Sequence, residues 1–240
     1  LVVNTQTLVS AGAQPQIGNG AGAGVNVTNL SGIEIRGLNI GGTTDGINAV
    51  LNAASTVTID ISNNTIRSAG NEGIDIDASA GVYLVSIHDL SAVATGTAID
   101  IAESGAGQIV LTAFDDLTIP GTTAATGIAV TGATFDTVSG APFNTVSAGA
   151  INVGTPGAGN GAGTNGIVFT NVAGDLNFTN LNIFADNGTA LSVTGSSSTF
   201  NAAGGTAYVA GQKVPVEDEG GDIVYTLPFK HAVNIIPEAA

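Results

Sequence analysis

Cysteine is absent from the 240-residue chain, which excludes disulfide staples, zinc-thiolate sites and thiol catalysis. Tryptophan is absent as well and only three tyrosines are present, so the chain is poorly equipped to stack sugar rings. Positive charge is scarce: four Lys plus Arg stand against nineteen Asp plus Glu, a formal charge of −15. Such an anionic surface repels nucleic-acid phosphates and anionic membranes, leaving neutral surfaces, sugars or cations as partners. No stretch approaches the roughly twenty consecutive apolar residues of a membrane span, so no membrane insertion is expected. The opening Leu1-Val2-Val3-Asn4 carries neither an initiator Met nor the charged n-region of a signal peptide, the pattern expected of a mature product or of a segment of something longer.

What is present is an apolar, glycine-rich repeat. At 43% apolar residues with 35 glycines, the chain is too apolar for a disordered acidic tail and is expected to fold. A short phrase returns along it: Ile or Phe, any residue, Gly/Asn/Asp, usually Leu, any residue, then a small or apolar residue. It reads Ile35-Arg36-Gly37-Leu38-Asn39-Ile40, with further copies starting at Ile61, Ile87, Phe114 and Phe178. The first four copies are roughly 26 residues apart, the spacing of a solenoid repeat.

After each phrase comes a Gly/Thr/Ser/Asn-rich corner and then a second short strand with alternating apolar residues, as in Gly46-Ile47-Asn48-Ala49-Val50 and Gly73-Ile74-Asp75-Ile76-Asp77. A third element precedes the next phrase, for example Val57-Thr58-Ile59-Asp60-Ile61. One such coil cannot stand alone. Six buried apolar side chains contribute about 12 kcal/mol, whereas ordering about 25 residues costs ~1–2 kcal/mol each. Stacking closes the gap, giving parallel sheets wound as a solenoid of about seven coils, with a core some 30–35 Å long at roughly 4.8 Å per rung.

The repeat divides the chain into an irregular N-terminal coil or cap at 1–24, a parallel β-helix at 25–199 and a C-terminal β cap, hairpin or assembly segment at 200–240. Within the last, strands are expected at 213–216 and 222–227 around an acidic turn, Glu217-Asp218-Glu219 with Asp222. Against the repeat, 154–165 is surplus and reads as a flexible loop projecting from a corner. All eight Phe lie from Phe114 onward, and Phe114, Phe135, Phe143, Phe169 and Phe178 are expected inward, as a stacked aromatic core.

Gly73-Ile74-Asp75-Ile76, Ile61-Ser62-Asn63-Asn64-Thr65-Ile66 and Ile33-Glu34-Ile35-Arg36-Gly37-Leu38-Asn39-Ile40 resemble the repeats of parallel β-helix proteins of the pectate-lyase-like superfamily, over roughly residues 25–195. The resemblance implies an all-β, right-handed, single-stranded parallel β-helix. It also implies a range of roles: polysaccharide lyases and hydrolases, phage tailspikes, and passenger regions of bacterial surface adhesins and autotransporters. Asn63 and Asn180 match the corner where such proteins stack asparagines, but here that position varies among Gly37, Asn63, Asp89, Asp116 and Asn180.

Aligned phrases set Arg36, Ser62, His88 and Asp115 in one outward row and Glu34, Asp60 and Ser86 in another. Carboxyl groups about 5–5.5 Å apart, close to one rung, serve retaining glycosidases, so Glu34, Asp60, Arg36, His88 and Asp115 are candidate catalytic residues. The bland reading is that outward strand positions are polar by default and Arg36 neutralises Glu34 and Asp60. Of the polygalacturonase-like motifs only the pair Asp115-Asp116 is present, and with four Lys plus Arg a polyuronate would be repelled. A second row, Asn48, Asp75 and Asp100, with Asp77 and Glu103 nearby and Glu72 at the preceding corner, offers Asp75, Asp77, Asp100 and Glu103 as calcium candidates. No cofactor is otherwise expected. His88 and His231 have no spacing that suggests a paired metal site.

Three functions are consistent with these residues. The leading one is a non-enzymatic extracellular or cell-surface β-helix serving as stalk, adhesin segment or fibre subunit, with carbohydrate or protein surfaces as partners. The second is a polysaccharide lyase or glycoside hydrolase acting on the outer face. The third is a filament subunit that self-associates end to end through its terminal segments.

Overall fold

The computed structural model describes residues 7–9, 16–18, 21–121, 124–138, 142–155, 159–209 and 217–219. Every regular element among them is a β-strand, and the strands wind into a parallel β-solenoid of about seven turns. Coils pair in register along three columns. In the first, Ile35 lies opposite Ile61, then Ile87, then Phe114. In the second, Ile17, Ile40, Ile66 and Ala92 follow one another, and Ile119 leads by way of Val153 to Ile183. In the third, Val25, Ile47, Ile74, Ile99, Ile128, Ile167 and Leu191 stack, with Val27, Ala49, Ile76, Ile101, Val130, Phe169 and Val193 two residues on. The period of two turns these side chains into the lumen, where they form one continuous buried core.

The corner residues explain the recurring phrase. Gly37, Asn63, Asp89 and Asp116 take φ of 69°, 54°, 52° and 47°. This left-handed conformation is steeply unfavourable for most side chains and tolerated by Gly, Asn and Asp, so the third place of the phrase is a backbone requirement. Asn180 departs from this: it lies inside the strand Ala173–Ala185, opposite Ala150. Beside Asn63, Asn64 is only 2% exposed. Its Oδ1 accepts from Leu38 N at 3.1 Å and its Nδ2 donates to Ile35 O at 2.7 Å, stitching two coils where their backbones leave the first column.

The spacing of the phrase lengthens by one residue between Ile87 and Phe114 because of a bulge. Val85 faces Leu111 but Ser86 faces Ala113, leaving Thr112 as the extra residue, its hydroxyl donating to Val85 O at 3.2 Å.

Aromatic packing fills the later coils. Phe135 meets Phe114, Phe169 and Phe200 edge to face, with ring centroids 5.8, 5.6 and 6.3 Å away, and Phe169 stacks on Phe200 at 5.0 Å. These rings come from different columns, Phe135 opposite Leu111 and Phe169 opposite Val130, so the aromatic core crosses the lumen instead of climbing one row. Phe143 corrects the expectation: it is 44% exposed, and the N–H of its neighbour Asn144 is tied to Asp136 Oδ1 at 2.8 Å instead of continuing the inward pattern.

Two further expectations change. The surplus at 154–165 is not a loop that simply projects: Gly161 and Ala162 are buried, Ala162 bridges to Ala185, and Asp186 Oδ1 accepts from the Gly159 and Gly161 N–H groups. Glu217–Glu219 is a strand paired in parallel with Leu191–Thr194, where an acidic turn was expected. The columns also take in Thr7–Val9 and Gln16–Ile17 before residue 25, and Ser197–Ala202 and Gly205–Val209 around and after residue 200. The strands expected at 213–216 and 222–227, with Asp222 and His231, lie outside the described residues.

Candidate functional site

Strand register sets the first candidate face. Glu34 lies opposite Asp60, which lies opposite Ser86; Arg36, Ser62, His88 and Asp115 occupy four successive rungs of the neighbouring row. The side chains compensate one another. Arg36 Nη1 meets Glu34 Oε1 at 2.8 Å, Arg36 exposed and Glu34 partly so. His88 Nδ1 lies 2.8 Å from Asp89 Oδ2 and its Nε2 lies 3.5 Å from Asp60 Oδ2. Burial pushes the His88 pKa down, but the hydrogen bond to Asp89 and the charge of Asp60 outweigh it, so the ring holds its proton above the usual imidazole range. With both nitrogens against carboxylates, it has no lone pair turned toward a substrate. Ser62 is buried, and Asp115 is held above its ordinary pKa by burial and then by the charges of Asp116 and Asp89. The face thus pairs Glu34 with Arg36 and sets His88 between Asp60 and Asp89, while Asp60 Oδ1 and Asp115 Oδ1 stay buried without a hydrogen-bond partner among the described residues.

The second row follows the third column. Asn26, Asn48, Asp75, Asp100, Ala129, Val168 and Ser192 occupy successive rungs. Burial, then the charges of Asp77, Asp45, Glu72 and Asp100, push the Asp75 carboxyl up to about 7. Asp100 is raised by burial and then by Asp77. Glu72 is raised by burial and by a hydrogen bond with Asp45. Asp45 is a member the repeat alignment left unnamed: only 6% exposed, it accepts from Asn48 Nδ2 at 3.2 Å and from Glu72 N at 3.5 Å. Its signal was available, since Asp45-Gly46-Ile47 matches Glu72-Gly73-Ile74 one coil on.

Glu103, grouped with this row by sequence, is drawn away from it. Its Oε1 accepts the Ile109 N–H, and burial raises its pKa with no acidic neighbour contributing. Among the described residues no group of three or more Asp, Glu, His or Cys is placed to hold a metal ion. Burial and mutual repulsion thus favour the protonated form of Asp75, Asp100 and Glu72.

Fold and faces together define a class: a parallel β-solenoid with one outer face of partly paired charges and a second of crowded carboxylates. Comparison with protein-family models, with curated proteins and with solved structures finds no match.

Proposed function

We propose that the chain is a non-enzymatic module of an extracellular or cell-surface stalk, adhesin or fibre, built as a right-handed β-helix of the pectate-lyase-like kind, whose work is mechanical. The observation that carries this reading is the threefold pairing: apart from local bulges, each coil is hydrogen-bonded to the next along three columns at once, over one continuous core. A load on any coil is shared among three ladders, and a coil opens only when all three yield. The outer surface supports the same reading through side-chain amide pairs such as Asn182 Nδ2 to Asn152 Oδ1 and Asn201 Nδ2 to Asn177 Oδ1, both 2.8 Å, which stiffen neighbouring rungs without adding charge.

Force spectroscopy tests it, with the chain held between marker domains of known strength. The reading expects unfolding in coil-sized steps at forces at or above those of the markers. Featureless extension at low force sinks it, and so does turnover of any member of a polysaccharide panel that Asp60→Asn or Arg36→Ala abolishes.

A further inference from the structure

Four Asn-Gly steps occur in the chain, Asn19-Gly20, Asn160-Gly161, Asn165-Gly166 and Asn187-Gly188, and the first lies outside the described residues. At this dipeptide an asparagine side chain reacts most readily with its own backbone: the next nitrogen attacks Cγ, and glycine has no Cβ to crowd the ring that closes. The reaction needs that nitrogen free of an acceptor and Cγ free to swing over it. The fold grants both to one step and withholds them from two.

Gly166 is buried in the strand Asn165–Thr170, where its N–H donates to Thr189 O at 2.9 Å and Asn165 Oδ1 accepts from Thr189 N at 3.2 Å. Both reacting groups are engaged. Gly161 is buried as well: its N–H donates to Asp186 Oδ1 at 3.2 Å, and Asn160 O accepts from Thr155 N at 2.9 Å. Asn187 and Gly188 differ. Both are exposed, they lie between the strands Ala173–Ala185 and Leu191–Thr194, and the Gly188 N–H has no acceptor among the described residues. The Asn187 side chain is held by one exposed hydrogen bond, from Nδ2 to Gly163 O at 3.0 Å.

We propose that Asn187 is a self-modification site at which the solenoid deamidates, with water as the only co-reactant. Gly188 N gives its proton to solvent and bonds to Asn187 Cγ; the Cγ–Nδ2 bond breaks and ammonia leaves, closing a five-membered succinimide. Water then opens the ring. Addition at Cγ leaves aspartate on the normal backbone, and addition at the α-carbonyl leaves isoaspartate, with the backbone running through Cβ and Cγ. Either product loses the amide donor to Gly163 O and sets a new carboxylate beside Asp186, whose Oδ1 holds the Gly159 and Gly161 N–H groups. Isoaspartate also lengthens the backbone where there is no slack, since a Cβ on Gly188 would lie 2.3 Å from Thr164 O. The bonds that Thr189 makes to Asn165 and Gly166 lead into the pairing of Leu191–Thr194 with the strand below, so modification loosens that rung.

The test is mass-spectrometric peptide mapping of the intact chain aged at 37 °C and pH 8, beside a sample aged in urea. In the folded chain Asn187 should convert about tenfold or more faster than Asn160 or Asn165, whose glycine nitrogens are released only by local opening. In urea the three should convert at similar rates. Conversion should slow at pH 6, because the attacking nitrogen must lose a proton. Asn187→Gln keeps an amide donor at an exposed position but would have to close a six-membered ring, and should show no conversion there. Converted wild type should have a lower urea midpoint than fresh protein, whereas aged Asn187→Gln should keep its own. An Asn187 that converts no faster than Asn160 or Asn165 in the folded chain, a rate unchanged between pH 6 and pH 8, or converted protein with the midpoint of fresh protein would overturn the proposal.

Discussion

Removing one charge from the Asp75 row should stabilise the protein, and only at neutral to alkaline pH. Asp75 lies opposite Asn48 on one side and Asp100 on the other, one rung away in each direction, with Asp77 two residues along. Two unit charges about 5 Å apart repel by about 0.8 kcal/mol in water and about 3 kcal/mol at an effective dielectric of 20. The folded carboxyl titrates at about 7 against an ordinary 3.8. Over that interval the native state binds a proton that the unfolded state has lost, so stability falls as pH rises from about 4 to 7. At full value the shift corresponds to about 4 kcal/mol. Because the row is half-buried and screened on its solvent side, about 1–2 kcal/mol is the realistic share.

Asp75→Asn keeps the shape of the side chain and extends the Asn26, Asn48 row by one rung. At pH 4 wild type and variant should unfold together. At pH 8 the variant's urea midpoint, followed by far-UV circular dichroism, should lie about 0.5 M higher for an m value near 3 kcal/mol/M. The carboxyl carbon resonance of Asp75 should titrate with a midpoint near 7 in the wild type. An Asp75 that titrates near 4, or a variant whose advantage is the same at both pH values, would refute the reasoning.

Other perturbations follow from the same geometry. Wild-type stability should decline overall between pH 4 and pH 8, because the raised Glu72, Asp100, Glu103 and Asp115 act with the sign of Asp75. The raised His88 adds stability that is complete below its ordinary 6.5 and lost above its folded pKa, while the lowered Asp136 loses its contribution only below about 3.8; denaturant midpoints across pH check the sum. Asn64→Ala strands Leu38 N and Ile35 O inside the wall and should cost about 3 kcal/mol in urea unfolding. Phe135→Ala removes the ring that three others touch and should cost about 3–5 kcal/mol, read by calorimetry. Gly37→Ala should lower stability by about 1 kcal/mol more than Gly37→Asn, since Asn63 already adopts that left-handed corner one coil on.

The columns were legible because each repeat restates the same physical demand. Ile35, Ile61, Ile87 and Phe114 are inward for one reason repeated four times, and that repetition fixed the pairing of Glu34 with Asp60 and of Ser62 with His88 to the residue. Even the irregular 27-residue step to Phe114 was visible as spacing, although only the structure names Thr112 as the inserted residue. What the repeat could not convey is where a side chain acts on its own chain locally. The 135–143 segment matched the template, yet Asp136 accepts from the Val138 and Asn144 N–H groups, and Phe143, beside Asn144, stays out of the core.

Glycine-rich composition misled for a related reason. A glycine is chosen equally where nothing constrains the chain and where another backbone comes too close for a Cβ. At Gly161 a Cβ would lie 2.7 Å from Phe184 O and 2.9 Å from Asp186 N, so the residue is there to let two coils approach. The same ambiguity covers the charges. Asp75, Asp115 and Asp136 are all acidic positions of the coils, but the first two sit above their ordinary pKa and remain within reach of other carboxylates, whereas Asp136 is held below its ordinary pKa by N–H donors. Periodicity assigns each carboxylate a rung; it carries no information on whether the donors that would satisfy that carboxylate belong to the chain.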